Sequence, residues 1–235
     1  MGPVHDRFIL VTGGARSGKS TYAERLAAQL AEPYGGHLTY LATSETNDVE
    51  MEARVAAHRA ARPAGWATLE CPLDVPQAVR ERAAAQAGSA ASGGPSGPPI
   101  FLLDCVTFWV TNLLFAGGAF GGSAPPDEGF NYDKDLLPPD EERAAAGRVT
   151  SGVNDLIAAV SETGATLVAV TNEVGLGVVP EYPLARLYRD QLGWANQRLA
   201  SAADRVYLLV AGFPLDVKAL AASPLPSIPS KESEQ

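Results

Sequence analysis

Residues 13–20 read Gly-Gly-Ala-Arg-Ser-Gly-Lys-Ser, and this octapeptide constrains the fold more than any other stretch. It has the form G-x-x-x-x-G-K-[ST], a loop whose backbone N–H groups cradle a polyphosphate. The loop works only where a strand delivers it and a helix leaves it, because successive N–H groups and a helix N-terminus must converge on the phosphates. Both flanks comply. Phe8-Ile9-Leu10-Val11 is a short apolar run that reads as a buried strand. From Thr21 to Leu30, the residues Tyr22, Ala23, Leu26, Ala27 and Leu30 fall at helical spacing. Gly13 and Gly18 permit the tight turns, with Gly14, Ala15, Arg16 and Ser17 forming the cradle between them. Lys19 supplies a point charge for the β- and γ-phosphates, and the Ser20 hydroxyl can ligate Mg²⁺. The chain is therefore expected to bind a nucleoside triphosphate.

Further strands follow, each separated from the next by a helical pattern. His37–Ala42, Trp66–Cys71, Ile100–Asp104, Thr166–Thr171 and Arg205–Gly212 read as strands. The segments 48–61, 73–87, 106–115, 149–163 and 183–203 read as helices. Parallel strands need crossover connections, which these helices supply. The expected fold is α/β: a three-layer, P-loop NTPase-type domain with a mostly parallel sheet of about five strands or slightly more, flanked by helices. The domain should span residues 1–220. Two inserts interrupt it, at 88–99 and 116–147, both read as flexible because glycine and proline recur in them; residues 221–235 are read as a disordered tail.

Composition narrows the class. Lys and Arg number 18 and Asp and Glu 27, a net charge of −9, and no basic run occurs, which argues against nucleic acid as a partner. Hydrophobic residues make up 46% of the 235, enough for a real core, yet no apolar run reaches the length of a membrane span. The first seven residues lack the apolar stretch of a signal peptide. Cys71 and Cys105 have no metal-ligand spacing, and each sits beside or at the end of a strand. The expectation is a cytoplasmic protein with reduced thiols.

Several side chains are placed where an open α/β sheet binds ligands, at the carboxyl ends of its strands. Thr43, Ser44 and Glu45 end the second strand; Thr43 and Ser44 are equally good helix-capping types. Asp104 ends an apolar strand as a Walker-B carboxylate does, where it can hold Mg²⁺ or its waters, and a strand-end cap is the competing reading. Glu70 reads on its own as a solvated charge. Met51, Val55 and His58 share one helical face, so the pattern alone makes His58 a packed or surface histidine. The stretch from Asn172 to Glu181 combines glycines and polar residues at a strand end, which suits a loop over ligand.

Taken together these motifs resemble the family of bifunctional adenosylcobinamide kinase / adenosylcobinamide-phosphate guanylyltransferases of cobalamin biosynthesis. The likeness is carried by Ile9 to Ser20, Tyr40-Leu41-Ala42-Thr43-Ser44, Met51 to Arg54, and His58 with Arg62-Pro63 and Trp66. It continues through Val110 to Phe115, Val170 to Gly175, Val178 to Glu181, Leu184-Ala185-Arg186 and Asn196 to Ala200. The resemblance implies that His58 is the nucleophile that becomes guanylylated, and that Lys19 serves the transfer of the γ-phosphoryl group. It implies nucleotide contacts from Thr43, Ser44, Glu45, Arg59, Arg62, Glu70 and Asp104, with Ser20 and Asp104 on Mg²⁺. ATP and GTP are the implied substrates, adenosylcobinamide and its phosphate the acceptors, and a homotrimer the assembly. Three departures stand out: Asp104 replaces a glutamate, Arg59-Ala60-Ala61-Arg62 lacks a glycine, and the two inserts lengthen the chain. A plain small-molecule kinase with a structural His58 is the nearest alternative. A nucleotide switch is a third, opposed by the lack of a guanine-reading N-K-x-D motif.

Overall fold

The computed structural model describes residues 6–44, 65–90, 94, 97–116 and 138–221. Along them run β1 (Phe8–Gly13), α1 (Lys19–Ala31), a 3-10 turn (Glu32–Tyr34), β2 (Leu38–Ala42), β3 (Trp66–Glu70), α2 (Val75–Ala90) and β4 (Ile100–Asp104). Then come α3 (Val106–Phe115), α4 (Pro139–Thr163), β5 (Thr166–Val170), α5 (Pro183–Ala202), β6 (Arg205–Val210), β7 (Phe213–Asp216) and α6 (Val217–Leu220). The strands form one seven-stranded sheet in the order β3-β2-β4-β5-β1-β6-β7. Every pairing is parallel except β6 with β7.

The continuous apolar strands have a direct cause: both faces of the sheet are covered, as parallel sheets require. Ile9 and Val11 of β1 face α1, which presents Ala23, Ala27 and Ala31 four residues apart and so packs close. Phe8 and Leu10 face the opposite layer, built from α2 to α5. There α4 buries Val149, Val153, Leu156 and Val160, and Arg80 of α2 ties itself to Asp155 at 2.7 Å and Glu162 at 3.0 Å. The three-layer α/β expectation is met.

Three details differ from the sequence reading. The sheet has seven strands, because β7 folds back antiparallel on β6. Helix α4 begins at Pro139 rather than 149, so residues 139–147 belong to a helix and not to an insert. Pro139 stands at the first helical position with Asp140, Glu141 and Glu142 behind it, a favourable start for both backbone and dipole. Helix α2 likewise runs on to Ala90, three residues into the expected loop. The expected helix at 48–61 lies outside the described residues, as do 117–137 and the tail beyond 221.

Cys71 and Cys105 are free and buried. Burial, with Asp74 near the first and Asp104 near the second, pushes each thiol from 9.0 up to about 11. Ellman's reagent at neutral pH is expected to leave both unmodified in the native protein and to titrate both after denaturation. The folded pKa lies above the unfolded one, so the stability contributed by the neutral thiols is complete below about pH 9 and lost as pH rises through about 11. The urea midpoint should fall across that window; rapid native-state labelling would contradict the burial.

Candidate active site

The strand register brings five carboxyl ends onto one row. Glu70 pairs with Ala42, Ala42 with Asp104, Asp104 with Val170, and Val170 with Val11. The phosphate loop leaves β1 just beyond this row, so Glu70, Thr43, Asp104 and the loop share one edge of the sheet.

The loop is held from three sides. The Ser17 N–H donates to the Gly14 carbonyl at 3.3 Å, and Lys19 Nζ donates to the same oxygen at 3.2 Å. The Glu173 N–H donates to the Gly13 carbonyl at 3.2 Å, and the Gly212 N–H to the Ser17 carbonyl at 2.9 Å. A Cβ on Gly13 would meet the Leu209 carbonyl and Ser17 Oγ, each at 2.7 Å, which is closer than real contacts allow. Gly18, at φ +89°, turns the chain into α1 in a conformation that other residues strain to adopt. Ser17 is buried and its hydroxyl has no partner among the described residues. A hydroxyl left without a partner in this loop is the kind of group that a bound ligand or an ordered water satisfies.

Asp104 leaves β4 half-buried, with Oδ2 accepting the Tyr40 hydroxyl at 2.7 Å. The Ser20 hydroxyl at the start of α1 and this carboxylate are hard oxygen donors, the kind Mg²⁺ takes alongside phosphate oxygens and waters. Among the described residues no cluster of three or more His, Cys, Asp or Glu forms a metal site of its own.

Thr43 is fully buried, and its hydroxyl is spent on structure. It accepts from the Cys105 N–H at 2.9 Å and donates to the Cys105 carbonyl at 2.8 Å. Asn112 of α3 donates to the Thr43 carbonyl at 2.8 Å and to the Pro72 carbonyl at 2.9 Å, stitching the ends of β2 and β3 together. Ser44 follows half-buried at the edge, and Glu70 is exposed. Thr107 accepts from the Asn172 N–H at 3.1 Å and its Nδ2 at 3.0 Å, while Asn196 receives the Thr171 hydroxyl at 2.7 Å and donates to the Asn172 carbonyl at 2.9 Å. These bonds set the course of the chain that leaves β5. Glu45, His58, Arg59 and Arg62 lie outside the described residues.

Sequence reasoning missed the supports. Gly212 belongs to a turn that braces the phosphate loop from β6, and Asn112 and Asn172 act across long sequence separations. For Asn112 the only sequence signal is membership in a stretch that carries the family likeness, Asn172 also opens the polar, glycine-containing stretch at the end of β5, and for Gly212 there is none.

Residues 9–217 match the protein family described as cobinamide kinase / cobinamide phosphate guanyltransferase. The chain is 41% identical over 210 residues to the bifunctional adenosylcobalamin biosynthesis protein CobU of Salmonella typhimurium, a match covering 89% of this chain and 99% of that protein. It is 39% identical over 209 residues to the bifunctional adenosylcobalamin biosynthesis protein CobP of Pseudomonas aeruginosa, over 89% of this chain and 96% of that one. Among solved structures, the flagellar accessory protein FlaH from Methanocaldococcus jannaschii aligns with a TM-score of 0.41 at 13% identity, over 86% of this chain and 70% of the other.

Proposed function

Because this chain belongs to the cobinamide kinase / cobinamide phosphate guanyltransferase family, we propose that it carries out both reactions on one acceptor. It phosphorylates the hydroxyl of adenosylcobinamide's aminopropanol arm with a nucleoside triphosphate. It then transfers GMP from GTP to the resulting phosphate, giving adenosylcobinamide-GDP and pyrophosphate. The observation that carries this reading is the family match along residues 9–217, with the phosphate loop, Asp104 and Glu70 on one sheet edge.

Each step has a place for the chain's own residues. In the kinase step the loop N–H groups of residues 13–18 hold the phosphates, and Lys19 neutralises charge that develops as the γ-phosphoryl group leaves. Ser20 and Asp104 would hold Mg²⁺, which would supply charge neutralisation to the polyphosphate during transfer. In the guanylyl step the neutral imidazole of His58 attacks the α-phosphorus of GTP, and pyrophosphate leaves. A phosphate oxygen of adenosylcobinamide phosphate then attacks the same phosphorus, and His58 departs as the leaving group. Histidine suits this because it is nucleophilic near neutral pH and its phosphoramidate passes the group on readily. Thr43, Ser44, Glu45, Arg59, Arg62 and Glu70 contact the nucleotide; for Thr43 the backbone is the available part, since its hydroxyl is engaged by Cys105. ATP or GTP drives the kinase step, and the working unit is a homotrimer in the cytoplasm. No helix among the described residues is long and apolar enough to cross a membrane.

Purified protein given Mg²⁺, GTP and adenosylcobinamide should accumulate first the phosphate and then the GDP derivative, with pyrophosphate released in step with the second. Asp104→Asn should raise the Mg²⁺ concentration for half-maximal kinase rate by about tenfold or more. Formation of the phosphate with no GDP product would leave a kinase alone.

A further inference from the structure

On the face of the sheet opposite α1 lies a cavity of about 640 Å³, between the end of β1, the turn at 173–176, α5 and β6. That volume falls within the range of about 300–1,000 Å³ common to small-molecule sites. Leu10, Trp194 and Val206 give it apolar walls, and Thr12 and Gln197 give it polar ones.

Thr12 is the informative residue. Its hydroxyl is buried and, among the described residues, has no hydrogen-bond partner. The neighbouring hydroxyl on the chain leaving β5, that of Thr171, is satisfied by Asn196 at 2.7 Å. The amide nitrogen of Asn196 is in turn committed to the Asn172 carbonyl at 2.9 Å. Buried hydroxyls are rarely left without a partner, so a missing one points to a ligand. The Gln197 carboxamide also lines this cavity and is exposed.

The cavity adjoins the phosphate loop. Thr12 directly precedes Gly13, and Glu173 on the cavity wall donates its N–H to the Gly13 carbonyl at 3.2 Å. A molecule seated there lies next to the strand end that leads into the phosphate loop.

We propose that this cavity is the subsite for the corrinoid acceptor, an inference that rests on the kinase reading above. A corrinoid joins a broad apolar ring to a rim of primary carboxamides. An amide arm can give and take hydrogen bonds with Thr12 and Gln197 while the ring edge lies against Trp194. The whole ring exceeds the cavity, so one edge enters and the aminopropanol arm runs past Glu173 to the phosphate loop.

The test is steady-state kinase kinetics of Thr12→Val and Gln197→Ala, with adenosylcobinamide and nucleoside triphosphate varied in turn. Each variant should raise KM for adenosylcobinamide about fivefold to tenfold, the loss of one hydrogen bond. KM for the nucleotide and the labelling of the protein by GTP, which needs no acceptor, should stay at parent values. Thr12→Val is close in shape and Gln197 is exposed, so both variants should fold. An unchanged KM for adenosylcobinamide in both would overturn the assignment. So would an equal rise in KM for the nucleotide, which would trace the effect to the phosphate loop. If the parent protein turns over no adenosylcobinamide at all, the kinase reading falls, and the cavity assignment falls with it.

Discussion

Lys19→Ala is expected to lower both the kinase and the guanylyl-transfer rates by about 10²–10³-fold, the scale seen when one preorganised charge or donor is removed from a transition state. Lys19 opens α1, directly after the left-handed Gly18, and its Nζ rests on the Gly14 carbonyl at 3.2 Å. No ion pair with an acidic side chain holds it among the described residues, so its charge is there for phosphate. Its side chain lies outside both core clusters, and the variant should fold as the parent does. The two rates, measured at saturating nucleotide alongside a thermal melt, check this. Loss of one activity with the other intact would mean that two separate nucleotide sites serve the two reactions.

His58→Asn should divide the activities. Guanylyl transfer is expected to fall at least about 10⁴-fold, as happens when a covalent nucleophile is removed, while the kinase rate stays within about twofold of the parent. Asparagine keeps a polar side chain of similar reach but has no nucleophilic nitrogen. The kinase step passes the γ-phosphoryl group directly to a hydroxyl and needs no covalent intermediate. Separate assays of adenosylcobinamide phosphorylation and of pyrophosphate release measure the split. Equal damage to both would refute the division of labour.

The parts of the site that depend on local chain are legible from sequence. The loop at 13–20 needs glycine, lysine and serine at fixed offsets, and Asp104 needs only to end an apolar strand, so both can be placed directly. Bonds between distant residues cannot. Arg148 of α4 donates to the Leu113 carbonyl at 2.8 Å and the Leu114 carbonyl at 2.7 Å, closing the end of α3 from beyond the segment that reads as an insert. Strand β7 is hidden because Phe213-Pro214-Leu215-Asp216 is four residues long and contains a proline, which only an edge strand tolerates. Pro138-Pro139 reads as a break, yet the second proline starts a helix of 25 residues. The unsatisfied hydroxyl of Thr12 has no sequence signature at all, because being unbonded is a property of its neighbours. His58 illustrates the reverse limit: helical spacing makes it ordinary, and its role comes from family likeness alone.

The most direct measurement uses GTP labelled at the α-phosphate, with Mg²⁺ and purified protein. The expected result is label on the protein that is acid-labile and alkali-stable, as a phosphoramidate is, that moves to adenosylcobinamide phosphate when this is added, and that is absent from His58→Asn. A parent protein that binds GTP and carries no label would contradict it, leaving His58 without a covalent role and the protein a small-molecule kinase.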